Sequence, residues 1–228
     1  HNLGHHLMVG TPEDPASSRF GESFWRFYPR TVIGTFRKNL ALERQRLARA
    51  GKGAWSLANE TWRNVLYPVV LTVVAYVAGE ALAPEAQGLL GLGAGASAAL
   101  VVVVQAVLGF SLLEIVNYLE HYGLERRRLP NGKYERVTPL HSWNGNHLVT
   151  NGFLYHLQRH SDHHAWPARR YQTLRNFPEA PQLPTGYAGM IWLAAIPPLW
   201  FRVMDRRVVE FRERQARSEA VEGQGIVA

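Results

Sequence analysis

Twice between Asn64 and Tyr118 the chain stays apolar for about the thickness of a lipid bilayer. The first run, Asn64 to Ala83, reads NVLYPVVLTVVAYVAGEALA, and the second, Ala96 to Tyr118, contains the tract Leu100 to Val104. A helix needs about 20 apolar residues to cross hydrocarbon. The two runs therefore predict spanning helices over 64–83 and 96–118, and an all-α, integral-membrane helical bundle as the fold class. Glu80 falls near the end of the first run, within reach of the interface. Gln105, Glu114 and Asn117 lie inside the second, where polar groups are rare and mark a face turned away from lipid.

Charge orients these spans. Residues 26–63 hold nine Lys or Arg, the connection Pro84 to Gly95 holds none, and residues 125–175 are again rich in Arg. Positive flanks stay cytoplasmic, which predicts a hairpin with a short outside turn and both flanks on the cytoplasmic side. The formal net charge of +7 by itself admits nucleic acid, anionic lipid or an acidic protein as partner. No RNA-binding motif accompanies the arginines and topology already accounts for them, so no nucleic-acid partner is expected. The mean hydropathy falls slightly below zero because it averages the apolar runs with very polar flanks.

The rest of the chain is polar with one exception. Tyr187 to Met204 is apolar but broken by Pro197-Pro198, which predicts an interfacial or re-entrant helix over 187–204. The charged tail from Asp205 reads as a frayed helix or as disorder. Thr11-Pro12-Glu13-Asp14-Pro15 reads as a turn into a short helix, with Thr11 as cap, Pro12 at the first position and the acids at the positive end. The length, 228 residues, suits one domain. The first residue is His1, already inside a histidine cluster, which reads as a fragment whose N-terminal part is missing.

That cluster is one of three. They are His1-Asn2-Leu3-Gly4-His5-His6, then His121 at the end of Asn117-Tyr118-Leu119-Glu120-His121, then His156 followed by His160-Ser161-Asp162-His163-His164. On a helix, positions three or four apart share a face, so His1 and His5 point together, as do His160, His163 and His164. Two imidazoles on one helical face are the geometry of H-E-x-x-H metal sites. A single H-x-x-H-H is usually a polar helix face; two of them, with a histidine closing a membrane helix, point to metal. Zinc takes about four ligands, and this many clustered imidazoles point to two metals. By spacing alone His156 competes with His160. His141 and His147 lack helical ligand spacing and read as structural. The absence of cysteine excludes disulfides, Fe–S clusters and thiolate sites, leaving nitrogen and oxygen donors.

HNLGHH followed by TPEDPASSR, then NYLEHYGL, LQRHSDHH and RYQTL with PQLPTGY, resembles the integral-membrane alkane 1-monooxygenase (alkane hydroxylase) family. The likeness runs from His1 to about Asp205. TPEDPASSR and LQRHSDHH are far more specific than the histidine spacing, which membrane fatty-acid desaturases and xylene monooxygenases share. The resemblance implies nine histidine ligands for two non-haem iron ions. Seven map here: His1, His5, His6, His121, His160, His163 and His164; His156 is not among them. The other two belong to an H-E-x-x-H-type box upstream that this chain does not contain.

The implied reaction is terminal hydroxylation of medium- or long-chain n-alkanes to 1-alkanols by O₂, with electrons from rubredoxin, in the bacterial inner membrane and with the iron site towards the cytoplasm. Glu114, Asn117, Glu120 and Asp162 are candidates to orient ligating imidazoles through the other ring nitrogen. Arg126 to Arg128, Arg169, Arg170 and Arg175 are candidates for docking an acidic electron carrier. A desaturase or a xylene-monooxygenase-like hydroxylase is the alternative enzyme. A histidine-rich metal transporter is the alternative outside enzymes, but it would place ligands within the spans rather than beyond one end.

Overall fold

The computed structural model describes residues 4–225. Among them the regular structure is helical, with three isolated β-bridges and no strand. The helices are α1 His5–Met8, α2 Phe24–Arg49, α3 Glu60–Leu82, α4 Ala94–His121, α5 Leu148–Phe153, α6 His160–Ala165, α7 Tyr187–Ala195 and α8 Pro197–Gly225. The chain divides into two compact units, residues 34–113 and residues 1–33 with 114–228.

The 34–113 unit holds the apolar hairpin. Asn59 caps α3 by accepting from Thr61 N at 3.0 Å. Valine, leucine and tyrosine then occupy every side of α3, and none of its apolar window is buried; Leu71 and Val77 are each 57 % exposed. A helix apolar all round belongs in a core or a membrane, and an unburied one is not the core helix of a soluble protein. α3 and α4 are the two helices among the described residues long and apolar enough to cross a bilayer.

The tip of the hairpin is tightly specified. Glu80 Oε1 accepts from Gly95 N at 3.1 Å, placing an acid at the positive end of α4. Glu80 therefore caps the neighbouring helix. A Cβ at Gly79 would lie 2.7 Å from Ala94 O, and one at Gly95 would lie 2.5 Å from Tyr76 O, so only glycine permits this approach of the two helices.

The other unit has an ordinary core. Tyr118, Leu119 and Tyr122 of the α4 end pack with Phe24, Phe27, Trp143, Tyr187 and Met190. α8 adds Trp200, Met204, Val208 and Phe211, spaced on one helical face and all buried. This corrects two expectations. The stretch 187–204 is two helices, broken at Ile196, where Pro197 opens α8 at a position that needs no N–H. The charged tail is helix through Gly225, because Val208 and Phe211 continue the buried face of α8 beyond Asp205. A third correction concerns Thr11 to Ser18, which forms successive turns and no helix. Asp14 N bonds Thr11 O and Ser17 N bonds Asp14 O.

Candidate metal centre

Three segments far apart in sequence converge within the unit formed by residues 1–33 and 114–228. α1 brings His5 and His6, the last residue of α4 is His121, and α6 carries His160, His163 and His164. Ring centroids stand 4.9 Å apart for His5–His121 and His5–His164, and 4.8 Å for His121–His164. His6 lies 4.5 Å from His164 and 4.7 Å from His163, and His160 lies 4.4 Å from His164 and 5.2 Å from His121. Six of the seven predicted ligands are thus one cluster. The seventh, His1, lies outside the described residues.

Local sequence explains how α6 is held. Ser161 Oγ donates to Asn144 Oδ1 at 2.9 Å, docking the helix on the segment after His141. Asp162, fully buried, accepts from Arg175 N at 2.8 Å and from Arg175 Nη2 at 3.0 Å, with Arg169 Nε at 3.3 Å. Asp162 therefore spends its oxygens on arginines and not on an imidazole. It anchors the ligand helix from behind instead of orienting a ring. His156 precedes α6 in a left-handed turn (φ 60°) and turns Nδ1 towards Tyr171 O at 3.2 Å. The spacing argument for it fails because the helix begins only at His160. His141 is structural, held by Thr138 N at 3.0 Å and Glu135 Oε1 at 3.2 Å.

The donor atoms have the arrangement a metal requires. One ring nitrogen each from His5, His121 and His164 lie within 4.8 Å of one another, as do donor atoms of Glu120, His121 and His160. Nε2 of His121, Nδ1 of His160 and both ring nitrogens of His164 are buried with no hydrogen-bond partner in the protein. Buried polar atoms are nearly always satisfied, so this group of orphans fits metal ligation. Imidazoles with a carboxylate alongside suit a transition metal, iron among them. His160 Nε2 stands 3.1 Å from Glu120 Oε2, too poorly aligned for a hydrogen bond. Burial, reinforced by His163 and His5, pulls His6 down to about 4. Burial first, and neighbouring imidazoles second, hold His160 and His164 well below the ordinary histidine range. The rings are kept neutral, as ligands must be.

Two contributors escaped the sequence reading. Asp14 Oδ2 accepts from His5 Nδ1 at 2.7 Å, both groups buried. The signal was present in Asp14-Pro15-Ala16, since Asp14 Oδ1 also accepts from Ala16 N at 3.2 Å, the turn that aspartate favours. Tyr187, from the PTGY phrase, donates its hydroxyl to Glu120 Oε1. Of the predicted orienting residues, Glu120 reaches the cluster, whereas Glu114 and Asn117 are buried two turns and one turn before His121.

The sequence pattern that defines fatty acid desaturases matches residues 1–194. The chain belongs to the fatty acid desaturase family. Within that family it is 50 % identical over 211 residues to an alkane 1-monooxygenase of Acinetobacter baylyi, covering 92 % of this chain and 48 % of the relative. It is 51 % identical over 208 residues to alkane 1-monooxygenase 2 of Pseudomonas aeruginosa, covering 91 % and 51 %. A xylene/toluene monooxygenase hydroxylase component of Pseudomonas putida is 27 % identical over 201 residues, covering 88 % and 48 %. The chain spans about half the length of these curated relatives.

The arginines proposed for docking are largely engaged. Arg126 donates to Leu7 O at 2.9 Å and to Glu135 O, Arg127 pairs with Glu135 at 3.2 Å, and Arg169 and Arg175 pair with Asp162.

Proposed function

We propose that this chain forms the greater part of the iron centre of an alkane 1-monooxygenase, and that residues 1–228 belong to one membrane di-iron domain. The observation that carries the reading is the convergence of six imidazoles at the end of α4, five of them buried and His163 half-buried, with unpartnered nitrogens on His121, His160 and His164. The names and the 50 % identity of the relatives support the substrate class. The residues that would hold two non-haem iron ions are His5, His6, His121, His160, His163 and His164, with His1 completing this chain's share. When bound, iron supplies O₂ activation strong enough to break an unactivated terminal C–H bond. One oxygen atom enters the alkane as the 1-hydroxyl and the other leaves as water, with two electrons and two protons consumed.

The chain's own residues position and protect. Burial holds His6, His160 and His164 neutral, and Tyr118, Tyr122 and Trp200, packed together where α4 ends in His121, exclude water from that end. α4, apolar for most of its length and ending in His121, gives an apolar substrate a route from lipid. We assign the electrons to rubredoxin, and the centre to the cytoplasmic side of the bacterial inner membrane on the strength of the arginine distribution.

Elemental analysis of the full-length protein, expressed with ample iron, tests the metal assignment. Two irons per chain are expected; one zinc and no iron refutes it. Product analysis with an n-alkane is expected to give the 1-alkanol; an alkene or no product would exclude the hydroxylase reading.

A further inference from the structure

The phrase TPEDPASSR follows the first histidine cluster directly, and its fold explains its content. Asp14 is 3 % exposed. Its Oδ2 accepts from His5 Nδ1 and from Ser17 Oγ, both at 2.7 Å, while Oδ1 accepts from Ala16 N at 3.2 Å. Ser17 Oγ is itself fixed by accepting from Gly10 N at 2.9 Å. Gly10 has φ +70°, and a Cβ there would stand 3.2 Å from Arg126 Cγ.

The turn is tied down on both sides. Arg30 of α2 donates to Pro15 O at 3.0 Å and Ser17 O at 3.1 Å while gripping Glu22 with two bonds of 2.7 and 2.6 Å. Ser18 Oγ donates to Tyr118 O at 2.6 Å, and Gly123 N donates to Ser18 O at 3.1 Å, joining the turn to the end of α4, which carries His121. Such a framework is more than a surface turn needs. It holds one carboxylate against one imidazole.

We propose that Asp14 is a positioning residue for the metal centre: it holds His5 in the Nδ1–H tautomer and fixes its ring so that Nε2 is the nitrogen offered to iron. A neutral imidazole has one donor and one acceptor nitrogen. A carboxylate accepting at Nδ1 therefore assigns the lone pair to Nε2 and raises its basicity. Three donors, His5 Nδ1, Ser17 Oγ and Ala16 N, converge on the Asp14 carboxylate and favour its ionised form. The fixed turn also couples two ligands, since it is bonded both to His5 and to the helix end bearing His121.

The inference rests on His5 being an iron ligand, and its test separates the two. Iron affinity of the purified full-length protein is measured by chelator competition, with Mössbauer spectra and thermal melting of the metal-free form. Asp14→Asn keeps shape and an acceptor but loses the charge. It is expected to weaken iron binding about tenfold, and Asp14→Ala up to about 100-fold, with an altered Mössbauer signal and a metal-free melting curve close to the parent's. Ser17→Ala, which leaves the His5 bond in place, is expected to change affinity less than Asp14→Asn does. Unchanged affinity and spectrum in Asp14→Asn overturn the proposal. So does loss of iron only in Asp14→Ala and only alongside a lowered metal-free melting temperature. His5→Ala is the arm for the underlying reading: if it retains all its iron, His5 is no ligand. If it loses iron while Asp14→Asn does not, only the positioning role fails.

Discussion

The hairpin of α3 and α4 and the histidine centre sort their residues in opposite senses. On α3, leucines and valines are exposed and the helix has no polar face; around the centre, His121, Glu120 and His164 are at most 2 % exposed. Each pattern would be costly in the other's place. Apolar surface facing water forfeits about 25 cal/mol per Å², and a buried polar group without a partner costs about 1–3 kcal/mol. The difference teaches that exposure has meaning only with its solvent: lipid for the hairpin, a metal for the imidazoles.

The largest effects should come from the polar side of this contrast. In the full-length protein, His160→Ala, His163→Ala and His164→Ala are each expected to abolish alkane hydroxylation and lower iron content. His156→Ala, whose ring faces Tyr171 O, should retain activity. Iron loss in His156→Ala equal to the others would break the distinction.

On the apolar side, Val73→Lys at mid-α3, where the native valine is 56 % exposed, should disfavour insertion by about 2.5–3.5 kcal/mol. Val221→Lys, at a still more exposed position (71 %) on the charged end of α8, should insert as the parent does. Carbonate extraction of membranes reads both, and equal extraction of the two variants would mean that exposure on α3 is not exposure to lipid.

A comparable effect should follow pH. His6 titrates at about 4 in the folded state against about 6.5 unfolded, so the unfolded chain binds the extra proton between those values. Stability of the metal-free protein should therefore be full above about 6.5 and fall as pH drops towards 4, by about 3 kcal/mol from this group. Melting curves at pH 7 and pH 5 check the sign; a higher melting temperature at pH 5 would contradict it.

The smallest effect concerns the surface arginines. Arg170→Glu should raise the apparent KM for an acidic electron carrier several-fold and steepen at low salt, with iron content intact. Arg169→Glu cannot serve alone, because it also places a charge against buried Asp162. An unchanged KM in Arg170→Glu would assign the basic surface to topology or lipid.

Legibility followed the range of the interactions. Spans were readable because bilayer thickness is a length, and length is written in consecutive residues. The histidines were readable because helical spacing is local, although the same rule misjudged His156, whose left-handed backbone belongs to a turn that spacing does not reveal. The continuation of α8 was written in Val208 and Phe211 but hidden by the charges between them.

By itself, then, the sequence determined the helical class, the two apolar helices and which residue types meet a metal, since each depends on local composition or periodicity. Only the tertiary structure decided that Asp14 serves His5, that Glu120 is gripped by Tyr187 beside His160, and that Asp162 holds arginines instead of an imidazole. A carboxylate's partner is chosen by which donors folding brings within about 3 Å, and those donors lie in other segments of the chain.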